Sequence, residues 1–276
     1  MPDVLEVENL RKEYADLVAV DDVSFAIRDG ESLAIVGESG SGKTTIARMI
    51  IGLERPTRGR ISACGNDRSA PARAAGKRRQ RGREVQIVFQ DPYTSLDPRH
   101  SGQAAIDEVL RIHHGWPAQR RRERVAELAG LVGLDGRQRS VPPRSLSGGQ
   151  RQRVAIARAL AAEPKILILD ESVAALDVSI QAQVLNLLAD IRDTTGISYL
   201  LISHDLAVVR QLTEQVIVMR KGSIVEGGQT AAVLDYPQHP YTRLLRESVP
   251  RPGWQPQRRI SALPVGDRSP ASFPVR

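Results

Sequence analysis

Between Leu33 and Ile51 the chain reads LAIVGESGSGKTTIARMII. Leu33 to Val36 is an apolar, strand-like run, glycines at Gly37, Gly40 and Gly42 break it, and Lys43-Thr44-Thr45 open a stretch with helical apolar spacing. This is the phosphate-binding pattern G-x(4)-G-K-[ST] in the strand–loop–helix setting it requires. The glycines let successive backbone N–H groups turn toward phosphate oxygens, and the helix N-terminus adds about half a positive charge at the same place. Gly37, Glu38, Ser39, Gly40, Ser41, Gly42, Lys43, Thr44 and Thr45 are therefore candidate nucleotide ligands. Lys43 is directed at the β- and γ-phosphates and the Thr44 hydroxyl at Mg²⁺. The expected ligand is a nucleoside triphosphate.

A chain of 276 residues can bury a full α/β core, as one large domain or one domain with lobes. No run approaches the roughly 18 uninterrupted apolar residues of a membrane span, and MPDVLEVENLRKEY is charged where a secretory signal is apolar. The chain is expected on the cytoplasmic side. A single cysteine, Cys64, excludes an internal disulfide and any all-cysteine metal or iron–sulfur cluster. The net charge of +7 is concentrated in Lys77-Arg78-Arg79-Gln80-Arg81-Gly82-Arg83 and Arg120-Arg121-Arg122-Glu123-Arg124. Such runs can grip nucleic acid or an anionic membrane, but more often they are solvated faces. With 4% aromatic residues the stacking platforms of single-strand binders are scarce, and no nucleic acid partner is expected.

Upstream of the loop, Val4 to Leu10 alternates as a half-buried strand does, Tyr14 follows in a short polar turn, and Val23 to Ile27 reads as a second strand. Asp29-Gly30 suits a hairpin into the Leu33 strand. Tyr14 can bring its ring against a bound base, or it is an ordinary turn tyrosine. Downstream, Arg60 to Cys64 is a short strand, Gly65 to Arg83 an exposed connection without clear periodicity and mobile at its middle, and Val85 to Phe89 a strand ending at Gln90. Gln90 can reach the metal and the attacking water. Helices are expected over Ala104 to Ile112 and Pro117 to Leu131, a loop over Gly133 to Arg144, and then Leu146-Ser147-Gly148-Gly149-Gln150 opens another helix through Leu160. Ser147, Gly148, Gly149 and Gln150 make a second anion half-site by the backbone logic of the first.

Ile166 to Leu169 is a continuous apolar run, as in a strand buried on both faces. At its end Asp170 can hold Mg²⁺ through water and Glu171 can polarise a nucleophilic water. Asp177 meets a helix from Val178 to about Arg192, either as its cap or as a group acting across an interface. A further buried strand, Ile197 to Ile202, ends in Ser203-His204-Asp205, which puts His204 at the sheet edge where ligands sit in open α/β sheets. Val216 to Met219 and Ser223 to Val225 suit a hairpin, and a short amphipathic helix runs to Glu247. Beyond Pro250 the Pro-, Arg- and Ser-rich composition predicts weak order.

With the loop at 37–44, Gln90, LSGGQ at 146–150, ILILDE at 166–171 and His204 in this order, residues 4 to 248 resemble an ABC-type ATPase. More narrowly, FQDPYTSLDPR at 89–99, ALDVSIQAQV at 175–184 and His239-Pro240-Tyr241-Thr242 are similar to the oligopeptide/dipeptide/nickel importer branch. The resemblance implies an α/β nucleotide-binding domain over 1–249 with a mixed core sheet, an antiparallel β subdomain and a helical subdomain at about 100–162, followed by the tail at 250–276. It implies head-to-tail pairing, so that each ATP lies between one P-loop and the partner's LSGGQ. Carried over by position, Tyr14 stacks on adenine, Thr44, Gln90 and Asp170 attend Mg²⁺, Glu171 is the general base and His204 holds the γ-phosphate. Ser147 to Gln150 act in trans, Asp177 couples the two sites, and the loop after Gln90 receives a coupling helix.

The implied partners are two permease subunits, a second ATPase subunit and an extracytoplasmic solute-binding protein, with the chain peripheral on the cytoplasmic face of the inner membrane. The implied function is ATP hydrolysis that energises uptake of oligo- or dipeptides. Nickel, another small solute or an exported peptide remain open as substrates. ABC ATPases that act on DNA or ribosomes carry long insertions or two cassettes, whereas here the motifs occur once and about a hundred residues separate Thr45 from Leu146. Three departures stand out: Pro143-Arg144-Ser145 where the branch has Pro-His-Glu, Ser172 and Ala174 where it has Ala or Pro and then Ser, and no C-terminal cysteine cluster. No iron–sulfur cofactor is therefore expected.

Overall fold

A computed structural model describes residues 3–91, 95–174 and 176–248. Two sheets form around one helix. The first sheet holds β1 (Asp3–Tyr14), β2 (Leu17–Arg28), β4 (Arg58–Ala63) and β5 (Asn66–Asp67) in the order β2-β1-β4-β5, all antiparallel. The second holds β3 (Ser32–Val36), β6 (Val85–Val88), β7 (Ile166–Asp170), β8 (Ser198–Ser203), β9 (Gln215–Arg220) and β10 (Ser223–Gln229) in the order β10-β9-β3-β8-β7-β6. Its strands are parallel except β10, which returns antiparallel to β9.

The second sheet separates two apolar cores, and the strand period of two explains why. Ala34 and Val36, Leu167 and Leu169, and Tyr199 and Leu201 face one core, where α3 (Gly102–His113), α4 (Ala118–Leu131), α6 (Gly148–Leu160), α7 (Val178–Thr195) and α8 (Leu206–Leu212) pack. Leu33 and Ile35, Ile166 and Ile168, and Leu200 and Ile202 face the other core, shared with α1 (Lys43–Ile51) and the first sheet. Ile46, Ala47, Met49 and Ile50 of α1 are thereby enclosed between the sheets.

Several expectations are corrected here. Asp29-Gly30 makes no hairpin with β3, because β8 and β9 already occupy both edges of β3; the turn carries the chain from one sheet to the other. Tyr14 is the last residue of β1, joined to β2 by the two-residue loop Ala15-Asp16 with Ala15 at φ +47°. The stretch at 65–83 is an ordered arm that contains β5 and α2 (Ala75–Glu84). Arg68 is nearly buried there, its guanidinium donating to Glu84 Oε2 at 2.6 Å and to the Arg81 carbonyl. This helix has no apolar stripe to betray it, since an arginine network rather than apolar packing holds it. The stretch at 133–144 includes α5 (Gly136–Ser140), opened by a reciprocal capping box between Asp135 and Gln138. Helices α8 and α9 (Thr230–Asp235) are too short for their periodicity to be read. The final helix, α10 (Pro240–Glu247), follows the expected position. The segment Pro92-Tyr93-Thr94, Ala175 and the tail beyond Ser248 lie outside the described residues.

Candidate functional site

The P-loop leaves β3 at its C-terminal end. Gly37 (φ +151°) and Gly42 (φ +101°) are backbone requirements there: a Cβ on Gly37 would overlap the Met219 carbonyl, and one on Gly42 the Ala19 carbonyl. Neighbouring backbone thus walls the loop on two sides, and the Gly222 N–H donates to the Ser41 carbonyl at 3.2 Å. Inside the loop Lys43 Nζ donates to the carbonyls of Gly37 and Glu38 at 2.8 and 2.7 Å and to Ser41 Oγ at 3.3 Å. Burial lowers the Lys43 pKa from its ordinary value, while Glu171, Asp170 and Glu38 act in the opposite sense. A buried ammonium whose partners are mainly neutral carbonyls and a hydroxyl is poised for an anion.

Parallel pairing brings the ends of β7 and β8 beside that loop. Asp170 is 5% exposed and accepts from Thr44 Oγ1 at 3.2 Å. Burial raises the Asp170 pKa, and the Thr44 hydrogen bond offsets part of that. Glu171 takes φ +48°, a left-handed conformation costly for a residue with a side chain, and its N–H is held by the Ile202 carbonyl at 2.9 Å. This kink turns the chain out of the sheet directly after Asp170. His204 Nδ1 lies 3.5 Å from Glu171 Oε1, on an exposed ring at the end of β8. Asp205 beside it caps α8 through the N–H groups of Ala207 and Val208. Gln90 is exposed just beyond β6, the strand next to β7.

Ser147 to Gln150 contact other elements. Ser147 Oγ accepts from the Gln150 N–H at 3.2 Å and Gln150 Oε1 accepts from the Ser147 N–H at 2.9 Å, a capping box on α6. Gly148 packs near Leu176 and Gly149 against Ile180. Arg151 reaches back to the carbonyls of Pro143 and Leu146, so the unusual Pro143-Arg144-Ser145 turn is pinned from within α6. Asp177 holds the N-cap position of α7, but its side chain makes no capping bond and is exposed. Tyr14 is 40% exposed, with Lys12 Nζ 4.6 Å from its ring centroid. One chain thus gathers Gly37–Thr45, Asp170, Glu171 and His204 at the sheet edge, while the Ser147–Gln150 half-site takes its contacts from Leu176 and Ile180.

Two participants escaped the motif patterns. Arg151 has no spacing signal, and Tyr241, which hydrogen-bonds the P-loop from α10, was visible only as part of a motif without an assigned role. Among the described residues no group of three or more His, Cys, Asp or Glu side chains is arranged to hold a metal. No helix there is long and apolar enough to cross a membrane.

A family model described as "ABC transporter" matches residues 20–174, and one described as "Oligopeptide/dipeptide transporter, C-terminal region" matches residues 225–270. A Brucella abortus protein provisionally named a peptide import ATP-binding protein is 51% identical over 235 residues, covering 85% of this chain and 70% of that one. The oligopeptide transport ATP-binding protein OppD of Mycobacterium tuberculosis is 48% identical over 243 residues, covering 88% of this chain and 39% of that longer one. Among solved structures, a dimeric ATP-binding cassette in a post-hydrolysis state with ADP and Pi superposes with TM-score 0.74 at 28% identity, covering 82% of this chain and 98% of that chain. A cbiO1 subunit from Clostridium perfringens superposes with TM-score 0.76 at 30% identity, covering 86% and 92%.

Proposed function

The chain belongs to the ABC transporter family and is an ATP-binding cassette ATPase, and we propose that it energises uptake of oligo- or dipeptides through a membrane permease. The observation that carries the ATPase site is the convergence of Lys43, Thr44, Asp170, Glu171 and His204 at the C-terminal ends of three adjacent parallel strands. The peptide reading rests on the C-terminal-region match and on the names of the relatives.

In this reading the N–H groups of Gly37–Thr45 and Lys43 bind the phosphates, and Tyr14, exposed on its hairpin, offers a face to the adenine. Glu171, turned out of the sheet by its left-handed backbone, accepts a proton from the attacking water, and His204 contacts the γ-phosphate. Mg²⁺ fits the donor set. Thr44 Oγ1 and Asp170 Oδ1 are hard oxygens 3.2 Å apart, and such ions take one or two carboxylates together with substrate phosphates. Thr44, Asp170 and Gln90 would hold it, and it would neutralise charge on the β- and γ-phosphates.

The half-site at Ser147–Gln150 packs on Leu176 and Ile180, and the reading pairs two chains head to tail so that it faces the partner's P-loop. Asp177, exposed and not capping, is free to act across that interface. Gln90 and Asp91, exposed just beyond β6, suit contact with a permease helix. The division into a nucleotide-binding domain with a helical lobe at about 100–162 belongs to the same reading, as does a peripheral place at the cytoplasmic membrane face.

Purification from native membranes in mild detergent, followed by mass spectrometry of what accompanies the chain, tests the assembly. Two permease subunits with a second ATPase copy or relative are expected, and a cognate solute-binding protein would identify the peptide class. Recovery with ribosomes or DNA and no membrane partner would refute the transport role.

A further inference from the structure

The motif His239-Pro240-Tyr241-Thr242 has no part in the reaction as described, yet it is fastened to the nucleotide site by an unbroken series of hydrogen bonds. Glu226 on β10 is 8% exposed, and its two carboxylate oxygens accept from the backbone N–H groups of Gln238 and His239 at 2.8 and 3.1 Å. His239 Nδ1 then accepts from the Tyr241 N–H at 3.1 Å, which caps α10. The Tyr241 ring is 2% exposed, with the Arg220 guanidinium 5.1 Å from its centroid. Its hydroxyl oxygen accepts from the backbone N–H of Glu38 at 3.1 Å. The carbonyl of Glu38 in turn accepts from Lys43 Nζ at 2.7 Å.

From this geometry we propose that Tyr241 is a positioning residue for the P-loop, through which the C-terminal segment sets the affinity for the nucleotide. The proposal rests on the P-loop being the ATP site. The Gly37–Glu38 peptide is where these bonds meet: its N–H, that of Glu38, is taken by Tyr241, and its C=O, that of Gly37, accepts at 2.8 Å from the ammonium that must also reach the phosphates. A peptide plane held at both ends keeps Lys43 aimed into the loop before the nucleotide arrives. Without the phenol oxygen that plane loses one of its two bonds and keeps the one from Lys43, and ordering it is charged against nucleotide binding.

Tyr241→Phe removes only the hydroxyl and keeps the buried ring and its cation–π partner. One hydrogen bond of net 0.5–1.5 kcal/mol corresponds to roughly a two- to tenfold weakening. In the full chain, the Kd for the non-hydrolysable analogue AMP-PNP with Mg²⁺ and the KM for ATP are expected to rise by that factor. The kcat is expected to stay within about twofold, and loss of the same bond from the nucleotide-free fold lowers its Tm by about 1–6 °C. A purely structural role would lower Tm and leave the Kd of the folded fraction unchanged, and that result overturns the proposal.

Lys43→Ala serves as the reference. If it abolishes AMP-PNP binding while Tyr241→Phe binds as wild type does, the P-loop site stands and the role of Tyr241 falls. If Lys43→Ala also binds as wild type does, the site reading itself fails. Amide hydrogen exchange on the unmodified chain is independent of any variant: the Glu38 N–H is expected to be protected without nucleotide, and exchange at the unprotected rate refutes the contact.

Discussion

Gly149→Ala is the substitution whose cost the packing specifies most closely. Gly149 is the buried second residue of α6, and a Cβ built there would overlap Ile180 Cγ2, while Ile180 Cβ would lie at an ordinary 3.8 Å. Forcing a methyl into an occupied contact costs about 1–3 kcal/mol, whereas alanine in place of glycine in a helix gains at most about 1 kcal/mol. In the wild-type background the change is therefore expected to be neutral to destabilising by up to about 3 kcal/mol. With Ile180→Ala the overlapping atom is gone, only the helix preference remains, and the same change becomes stabilising by up to about 1 kcal/mol. The coupling between the two positions is then about 1–3 kcal/mol, within the range for residues in direct contact. Thermal unfolding of the nucleotide-free single and double variants measures it, at about 2–4 °C per kcal/mol for a chain of this size. Equal Tm shifts for Gly149→Ala in both backgrounds would refute the reasoning. The second glycine of LSGGQ would then not be reserved for contact with the helix that follows Asp177.

Glu171→Gln should lower kcat by roughly 10²–10⁴ and let an ATP-bound dimer accumulate in size-exclusion chromatography, and unchanged turnover refutes its role as base. Asp177→Ala should leave Tm within about 2 °C, because the side chain makes no capping bond, while ATPase activity falls; a loss of about 1 kcal/mol or more would show that it caps α7 after all. Burial raises the Asp170 pKa above its usual 3.8, so the folded state holds this proton more tightly than the unfolded chain. The associated stability is present below the unfolded value and is lost as pH rises through the raised one. Asp170→Asn should therefore raise the nucleotide-free Tm relative to wild type at pH 7, with the gap closing as pH falls toward 4. A Tm gap that widens on acidification contradicts this, and Mg²⁺-dependent ATP binding should weaken in the same variant.

How much was legible follows from the kind of signal each feature carries. The P-loop, the LSGGQ helix start and the ILILD strand are local patterns, and each sits in the element its residues implied. The left-handed turn at Glu171 left no mark, because nothing in Asp-Glu-Ser announces a positive φ. Helix α2 was missed for the opposite reason: arginine at nearly every other position conceals which side chains are buried, and Arg68 and Arg81 turn inward only because Glu84 and main-chain carbonyls meet them. The hairpin expected at Asp29-Gly30 misread a sound turn signal, since turn residues say that the chain reverses and not which sheet it enters.

The candidate site was legible in residue type and spacing: glycines for the close approach of backbone, lysine and threonine at the helix start, and two carboxylates closing an apolar strand. Those are short-range requirements, and they survive in a linear reading because each is met within a few residues. Partnership across the chain was decided by the tertiary structure alone. Only the packed sheets put Asp170 against Thr44 at a sequence separation of 126, and only the docking of α10 puts Tyr241 on Glu38 at one of 203. Contacts of that separation depend on strand order and on which faces are buried together, and neither is encoded in any one segment.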